Sequence, residues 1–455
     1  MKYLSTRGGI EPVSFKAAVM MGLANDGGLL VPETIPDVTP MLGEWAQLSY
    51  AELAAAVMQP FADDIEPTVF EALVQRSYQS FSHPDTAPLV PVGGVHILEL
   101  FHGPTLAFKD IALQFLGELF EHVLCERGEQ LNILGATSGD TGSAAIAGVR
   151  GKSGIRIFIM FPEGRTSPTQ ERQMTTVLDD NVFNLSINGS FDDCQNLLKT
   201  VFSDLSFKDQ YALGAVNSVN WARVLAQVVY YFWSWYQLSQ PARFDVAVPT
   251  GNFGNIFAGF IAKRMGLPIG KLVLATNEND ILARFFDTGV YQRGAVHFSQ
   301  SPAMDIQVAS NFERYLYYQF DQDPIQTSAF MQHFSDQQRA EISAPSGIFD
   351  WFVADAVSDV ETLQAMNHIH QQYGYLADPH TAVGYLLADR FQEPGVPMVA
   401  LATAHPAKFE AAVTQALPKV VNTHSALAGL DRLETRKTAM VSDPEAIKAF
   451  IRASC

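Results

Sequence analysis

Cysteine is scarce in this chain: there are three, Cys125, Cys194 and Cys455, far apart and odd in number. No two form a C-x-x-C pair, which argues against a disulfide framework or a zinc ribbon and favours a reducing cytosol. Other metal patterns are missing as well. There is no H-E-x-x-H, and His368 and His370 stand two apart on an expected helix, where they face different sides, so no metal is expected. No apolar run is long enough for a bilayer. The greasiest, Val224–Leu238, falls short of the ~20 residues a span requires and contains Gln227, so it reads as a buried helix. The N-terminal stretch from Met1 to Phe15 has no apolar signal core. A cytoplasmic protein without a membrane partner is expected. Basic residues are outnumbered, 30 Lys and Arg against 48 Asp and Glu, for a net charge of -18. That argues against nucleic acid or an anionic membrane as main partner. It leaves room for a small anionic substrate, which a few local cations and helix N-termini can hold.

What is present is an ordinary globular composition of 455 residues, 47% hydrophobic and 17% charged, long enough for two or three domains. Up to about residue 94 the chain reads as helices broken by Pro and Gly, with a capping-box pattern at Ser49 and a Pro/Gly-rich linker at Ser82–Gly94. Thereafter short apolar runs alternate with helical segments. Strands are expected at Val95–Leu100, Leu131–Leu134, Ile155–Phe161, Val182–Ile187, Phe244–Val248, Leu272–Ala275 and Met398–Leu401. Helices are expected at Ile111–Leu124, Asp192–Phe202, Trp221–Leu238 and Asn255–Met265. Such alternation with continuously apolar strands predicts an α/β fold with mainly parallel sheets buried on both faces. Ligands in such folds bind at the carboxyl ends of strands.

Four loops after strands carry residues suited to chemistry. Glu99–Asp110 (ELFHGPTLAFKD) places Lys109 at the start of a helix, where the helix dipole disfavours a protonated amine. A lysine with a lowered pKa can condense with an aldehyde. Taken alone, this loop reads first as a solvated Lys in a helix's first turn, with Asp110 the better-placed charge there. Thr137–Gly142 (TSGDTG) collects hydroxyls and backbone N–H groups that could hold a carboxylate or phosphate; it is also an ordinary strand-to-helix turn. Pro249–Asn255 (PTGNFGN) has two glycines ahead of a helix, the shape of a phosphate cup. It lacks the Lys and Ser/Thr of a Walker A loop, Gly151-Lys152-Ser153 lacks the leading glycine, and no G-x-G-x-x-G follows a strand. Thr403–Lys408 (TAHPAK) brings a hydroxyl, an imidazole and an amine to one strand end, or merely buries a satisfied His405.

In this order the four loops resemble the threonine synthases, members of the tryptophan-synthase-β family of pyridoxal-phosphate (PLP) enzymes of fold type II. The resemblance covers nearly the whole chain, from Val13-Ser-Phe and Gly27-Gly-Leu-Leu to Ala402–Phe409, and Leu98–Asp110 is specific to the bacterial and fungal branch. It implies two open, twisted, mainly parallel sheets with flanking helices plus an N-terminal helical segment. The expected division is an N-terminal domain at 1–94, a large PLP-binding domain at 95–125 and 211–455, and a small domain at 126–210.

The resemblance also implies roles. Lys109 would carry PLP on its amine and act as the catalytic base. Gly251, Asn252, Phe253, Gly254 and Asn255 would cradle the cofactor phosphate, and Thr403 would bond the pyridine nitrogen. Asp140 stands where relatives outside this branch carry an Asn beside the cofactor's 3′-oxygen, which an Asp would repel unless protonated or turned away. Ser138, Gly139 and Thr141 would hold substrate. A fifth segment, Asn217–Arg223, would bind the substrate phosphate through Ser218 and Arg223, a guanidinium being the best planar partner for phosphate. The implied activity is that of a lyase of threonine biosynthesis, turning O-phospho-L-homoserine and water into L-threonine and phosphate in a monomer or homodimer. In it the substrate amine displaces Lys109, whose freed amine takes the Cα proton with PLP as electron sink. Two rivals use the same motifs: a phospho-lyase giving 2-oxobutyrate, and a non-catalytic homologue binding PLP or a phospho-ligand.

Overall fold

The structure, a computed structural model, describes residues 1–137, 139–342 and 346–455. The chain opens with an antiparallel pair, β1 (Tyr3–Ser5) and β2 (Leu30–Pro32), followed by helices at Tyr50–Met58 and Pro67–Tyr78. The capping box at Ser49 forms as expected: its hydroxyl accepts from the Glu52 N–H, and the Glu52 carboxylate accepts from the Ser49 N–H at 2.8 Å. This segment has no core of its own. Trp45 packs edge-on against Phe232 at 6.1 Å and Tyr50 against Trp233 at 5.5 Å. Its apolar side chains therefore cover the Trp221–Gln237 helix, which is buried on nearly every side, as its all-round hydrophobicity requires. No described helix is long and apolar enough to cross a membrane.

The region expected as a linker contains β3 (Leu89–Val92), which turns antiparallel onto β4 (Val95–Glu99). Pro91 sits in β3, and an edge strand is where a sheet tolerates proline. After the Lys109–Arg127 helix come β5 (Leu131–Ala136), a helix at Asp140–Val149, β6 (Ile155–Pro162), β7 (Val182–Asn188), a helix at Phe191–Ser203 and the short β8 (Leu213–Gly214). The chain then runs through β9 (Phe244–Pro249), a helix at Gly254–Arg264, β10 (Ile269–Thr276), the small antiparallel pair β11 (Val290–Gln292) and β12 (Arg339–Glu341), and β13 (Phe352–Ala356). A helix at Pro379–Phe391 precedes β14 (Met398–Ala402), and β15 (Thr438–Val441) precedes the last helix, Pro444–Ser454.

Two sheets result. The larger has the order β13-β10-β9-β14-β4-β3 and is parallel except for β3. The smaller has the order β15-β7-β6-β5-β8 and is parallel throughout. Each strand expected from the sequence forms within a few residues. The expected assignment of everything after residue 210 to the larger unit needs correction at both ends. β8 pairs with β5, and β15 pairs with β7. Ile447 and Ile451 of the last helix are fully buried in the cluster that holds Leu185, Ile187 and Cys194. β15 is four mostly exposed residues whose apolar run of three is too short to mark a strand, so its backbone pairing with β7 identifies it.

The two units meet where the Lys109–Arg127 helix crosses the Asp140–Val149 helix. A Cβ at Gly117 would lie 1.9 Å from the Gly148 carbonyl oxygen, and one at Gly148 would lie 2.4 Å from that of Leu113. Glycine at both positions lets the helix backbones touch.

Candidate active site

Lys109 is the first residue of its helix. The loop before it is pinned to the end of β14: the Phe108 N–H donates to the Thr403 carbonyl at 2.8 Å, and the His405 N–H to the Leu106 carbonyl at 3.0 Å. Thr403 is thereby held, buried, beside Lys109. Asp110, wholly buried, accepts from the Thr105 N–H at 2.8 Å and its hydroxyl at 2.6 Å. Burial pushes its carboxyl up to about 6 against those hydrogen bonds. Asp110 therefore serves the loop rather than the open site.

Asp140 opens its helix on the smaller unit, with Oδ2 3.6 Å from the Lys109 Nζ. Its Oδ1 lies 2.8 Å from the Lys408 Nζ and accepts from the Gln170 side-chain amide at 2.8 Å. Burial acts to raise the Asp140 carboxyl, but Lys408 and Lys109 more than reverse it, so the net shift is downward and Asp140 is a carboxylate. The Lys109 amine is shifted down, first by burial; Asp140 opposes the shift, while Lys408 and Arg223 add to it. The negative charge of Asp140 is thus met by pairing with lysine, not by protonation. The sequence marks Lys408 only as the amine of the Thr403–Lys408 loop and does not pair it with Asp140.

The cup after β9 is built by close approach. A Cβ at Gly251 would lie 2.7 Å from the Ala303 carbonyl oxygen. Ala303 is held from behind, its N–H donating to the His380 Nε2 at 3.2 Å, while the His380 Nδ1 lies 2.6 Å from Asp378. The Phe253 backbone is left-handed, at φ 64, and turns the chain into the Gly254–Arg264 helix. Its ring leaves the cup for an aromatic cluster, 5.4 Å from Phe312 and 5.8 Å from Tyr315. The Asn255 Oδ1 accepts from the Tyr230 and Tyr231 hydroxyls at 2.5 and 3.0 Å, while its Nδ2 is buried with no partner among the described residues. Phe253 and Gly254 therefore offer backbone, together with the free N–H donors of a helix start.

Arg223 lies in the first turn of the Trp221–Gln237 helix and is buried, with Nε and Nη1 lacking partners among the described residues. Burial alone pushes its guanidinium down to about 10, so it stays charged at neutral pH. A buried cation without a counter-ion is costly unless an anion completes the site. Ser218 joins this turn to the cup: its hydroxyl is 2.7 Å from that of Ser310, which donates to the Asn252 Oδ1 at 3.1 Å. Asn311 spans the same gap, its side-chain amide donating to the carbonyls of Ser218 at 3.1 Å and Asn252 at 3.2 Å. No sequence signal marks Ser310 or Asn311.

In the Thr137–Gly142 loop, the Thr137 hydroxyl accepts from the N–H groups of Gly139 at 3.0 Å and Gly142 at 2.9 Å and shapes the turn itself. Gly139 is buried and Thr141 half-buried at the helix start, and Ser138 lies outside the described residues.

These residues fit PLP: a buried amine for its aldehyde, a backbone cup with a helix start for its phosphate, and a hydroxyl at Thr403 for its ring. Comparison with known proteins agrees. Residues 2–78 match the family model "Threonine synthase N terminus", 86–398 "Pyridoxal-phosphate dependent enzyme" and 381–451 "Threonine synthase, C-terminal". The threonine synthase of Pseudomonas aeruginosa is 45% identical, covering 99% of this chain and 98% of its own. That of Saccharomyces cerevisiae is 44% identical, covering 91% and 89%. The crystal structure of PLP-bound threonine synthase from Brucella melitensis superposes with a TM-score of 0.97 at 44% identity, covering 100% of this chain and 99% of that one.

Proposed function

This chain belongs to the threonine synthase family and is a PLP-dependent enzyme of threonine synthesis, and we propose that Lys109 is its base and Arg223 its anchor for substrate phosphate. The reaction is the conversion of O-phospho-L-homoserine and water into L-threonine and phosphate. The carrying observation is the buried Arg223 guanidinium, with two nitrogens lacking partners among the described residues, close enough to Lys109 to depress its amine. A phosphorylated substrate supplies the missing anion.

Lys109 would hold PLP through its amine, the backbone of Gly251, Asn252, Phe253 and Gly254 would hold the cofactor phosphate, and Thr403 would face the ring nitrogen. When bound, PLP supplies an electron sink at the carbon next to the substrate nitrogen. The chain's own residues do the rest. The Lys109 amine, whose burial favours its neutral form, removes the Cα proton and later returns one. Arg223 and Ser218 orient the substrate by its phosphate and receive that phosphate as it departs from Cγ. Thr141 offers donors to the substrate carboxylate at a helix start, while the Gly139 N–H is engaged by Thr137 and shapes the turn. The buried site keeps stray water from the reacting carbons until one is added at Cβ.

We divide the chain into a larger unit built on the β13–β3 sheet, a smaller one built on the β15–β8 sheet that takes in the C-terminal segment, and an N-terminal cover. We place the protein in the cytoplasm, because its three cysteines are unpaired thiols, as in a reducing compartment, and read it as a monomer or homodimer. The deciding experiment is incubation with PLP and O-phospho-L-homoserine, following phosphate and the organic product. Threonine formed in step with phosphate is expected. Release of 2-oxobutyrate would assign a phospho-lyase, and bound PLP without phosphate release would assign a non-catalytic homologue.

A further inference from the structure

Lys408 sits in a place where an unassigned cation is unusual. Its side chain is fully buried. The Nζ donates to the Thr105 carbonyl at 2.6 Å and pairs with Asp140 Oδ1 at 2.8 Å. Thr105 belongs to the loop that presents Lys109, and Asp140 to the smaller unit, so the ammonium bridges the two units at the base of the site. Gln173 makes a parallel bridge, its amide donating to the same Thr105 carbonyl at 3.1 Å.

Three ionisable groups share this pocket, and their charges must balance because burying net charge is expensive. Asp140 is a carboxylate with two lysines beside it, at 2.8 Å from Lys408 and 3.6 Å from Lys109. One positive charge neutralises it. The shorter contact and the second acceptor at Thr105 give that charge to Lys408. The other groups facing the point do not alter the outcome: Asp110 is engaged by Thr105, and Arg223 is a further cation that disfavours charge on Lys109.

We propose that Lys408 is a positioning residue which, by pairing with Asp140 across the two units, leaves the Lys109 amine free of its proton. The proposal rests on the assignment of Lys109 as the PLP lysine. Without Lys408, Asp140 would have Lys109 as its remaining cation and would hold it protonated.

The test is PLP capture by the full chain, stripped of cofactor and titrated with PLP across pH. Condensation of the amine with the aldehyde releases one water, borohydride reduces the product to a stable amine, and peptide mapping identifies the lysine that carries it. In the wild type the label is expected on Lys109; a label on Lys408 would overturn the assignment of Lys109 itself. In Lys408→Met the label should stay on Lys109 while the capture midpoint moves up by about one pH unit or more, the usual effect of an unshared carboxylate. Lys408→Arg should keep a midpoint near that of the wild type. The double variant Lys408→Met/Asp140→Asn removes both charges, avoids an unpaired buried carboxylate, and should bring the midpoint back. Two results would overturn the inference: an unmoved midpoint in folded Lys408→Met, or, should that variant not fold, a double variant whose midpoint lies as far up as expected for the single one.

Discussion

The hydroxyls of Ser218 and Ser310 lie 2.7 Å apart, and through Ser310 the turn that holds Arg223 is tied to Asn252 in the cup after β9. The proposed substrate-phosphate and cofactor-phosphate sites are thus fixed relative to each other by side chains. Behind them the fully buried Arg314 donates to the carbonyls of Leu30 at 2.9 Å and Val219 at 2.5 Å, and to the Asn311 Oδ1 at 2.5 Å. The N-terminal segment therefore braces the same turn.

Ser310→Ala removes both hydrogen bonds of this bridge while Asn311 still spans the gap, for a net loss of about 1 kcal/mol. The expected result is a rise of about fivefold in KM for O-phospho-L-homoserine with kcat little changed, read from steady-state kinetics.

Arg223→Ala should raise KM by about 100-fold, because charge-assisted hydrogen bonds to a phosphate are lost. The ligand-free variant should melt no lower than the wild type, since an unpaired buried cation disappears with the side chain. With PLP filling the cup after β9, inorganic phosphate should raise the melting temperature of the wild type and leave that of the variant unmoved.

Lys109→Ala should lower turnover by ~10⁴-fold or more and abolish the absorbance of covalently held PLP, with circular dichroism unchanged. Wild-type-like turnover would remove Lys109 from the site.

His405 predicts an acid limit to stability. Burial, with His424 adding to it, pushes the imidazole down to about 4 from 6.5, and its Nδ1 accepts from the Ala407 N–H at 3.1 Å. Because the unfolded chain takes up the proton first, the contribution is present above pH 6.5 and is lost as pH falls toward 4. Urea melts across that window should lose on the order of 1–2 kcal/mol from this group, after discounting for its partial contact with water. His405→Asn should flatten that slope.

Ile447→Ala should cost about 2–5 kcal/mol, as deletion of a fully buried side chain does. A loss of that size on urea unfolding would establish that the C-terminal helix stabilises the smaller unit.

The strand runs are legible because parallel strands buried on both faces are written as continuous apolar stretches, and the loops after them because glycines, hydroxyls and helix starts leave local marks. Lys109 and the Gly251 cup stand out in this way, and Arg223 through the family motif that holds it. β15 does not, since a four-residue exposed edge strand is too short for its apolar residues to mark it and is defined by its partner. Phe253 and Asn255 are legible as members of the cup, but the direction of their side chains is not, because packing against Phe312 and the Tyr230 and Tyr231 hydroxyls decides it. The sequence by itself determined the alternation of strands and helices, the family and the candidate lysine. Only the tertiary structure decided that Asp140 pairs with Lys408, that Ser310 bridges two loops and that the last helix completes the smaller unit. Those are contacts between residues remote in the chain, and their energies depend on burial and on neighbours that no local pattern specifies.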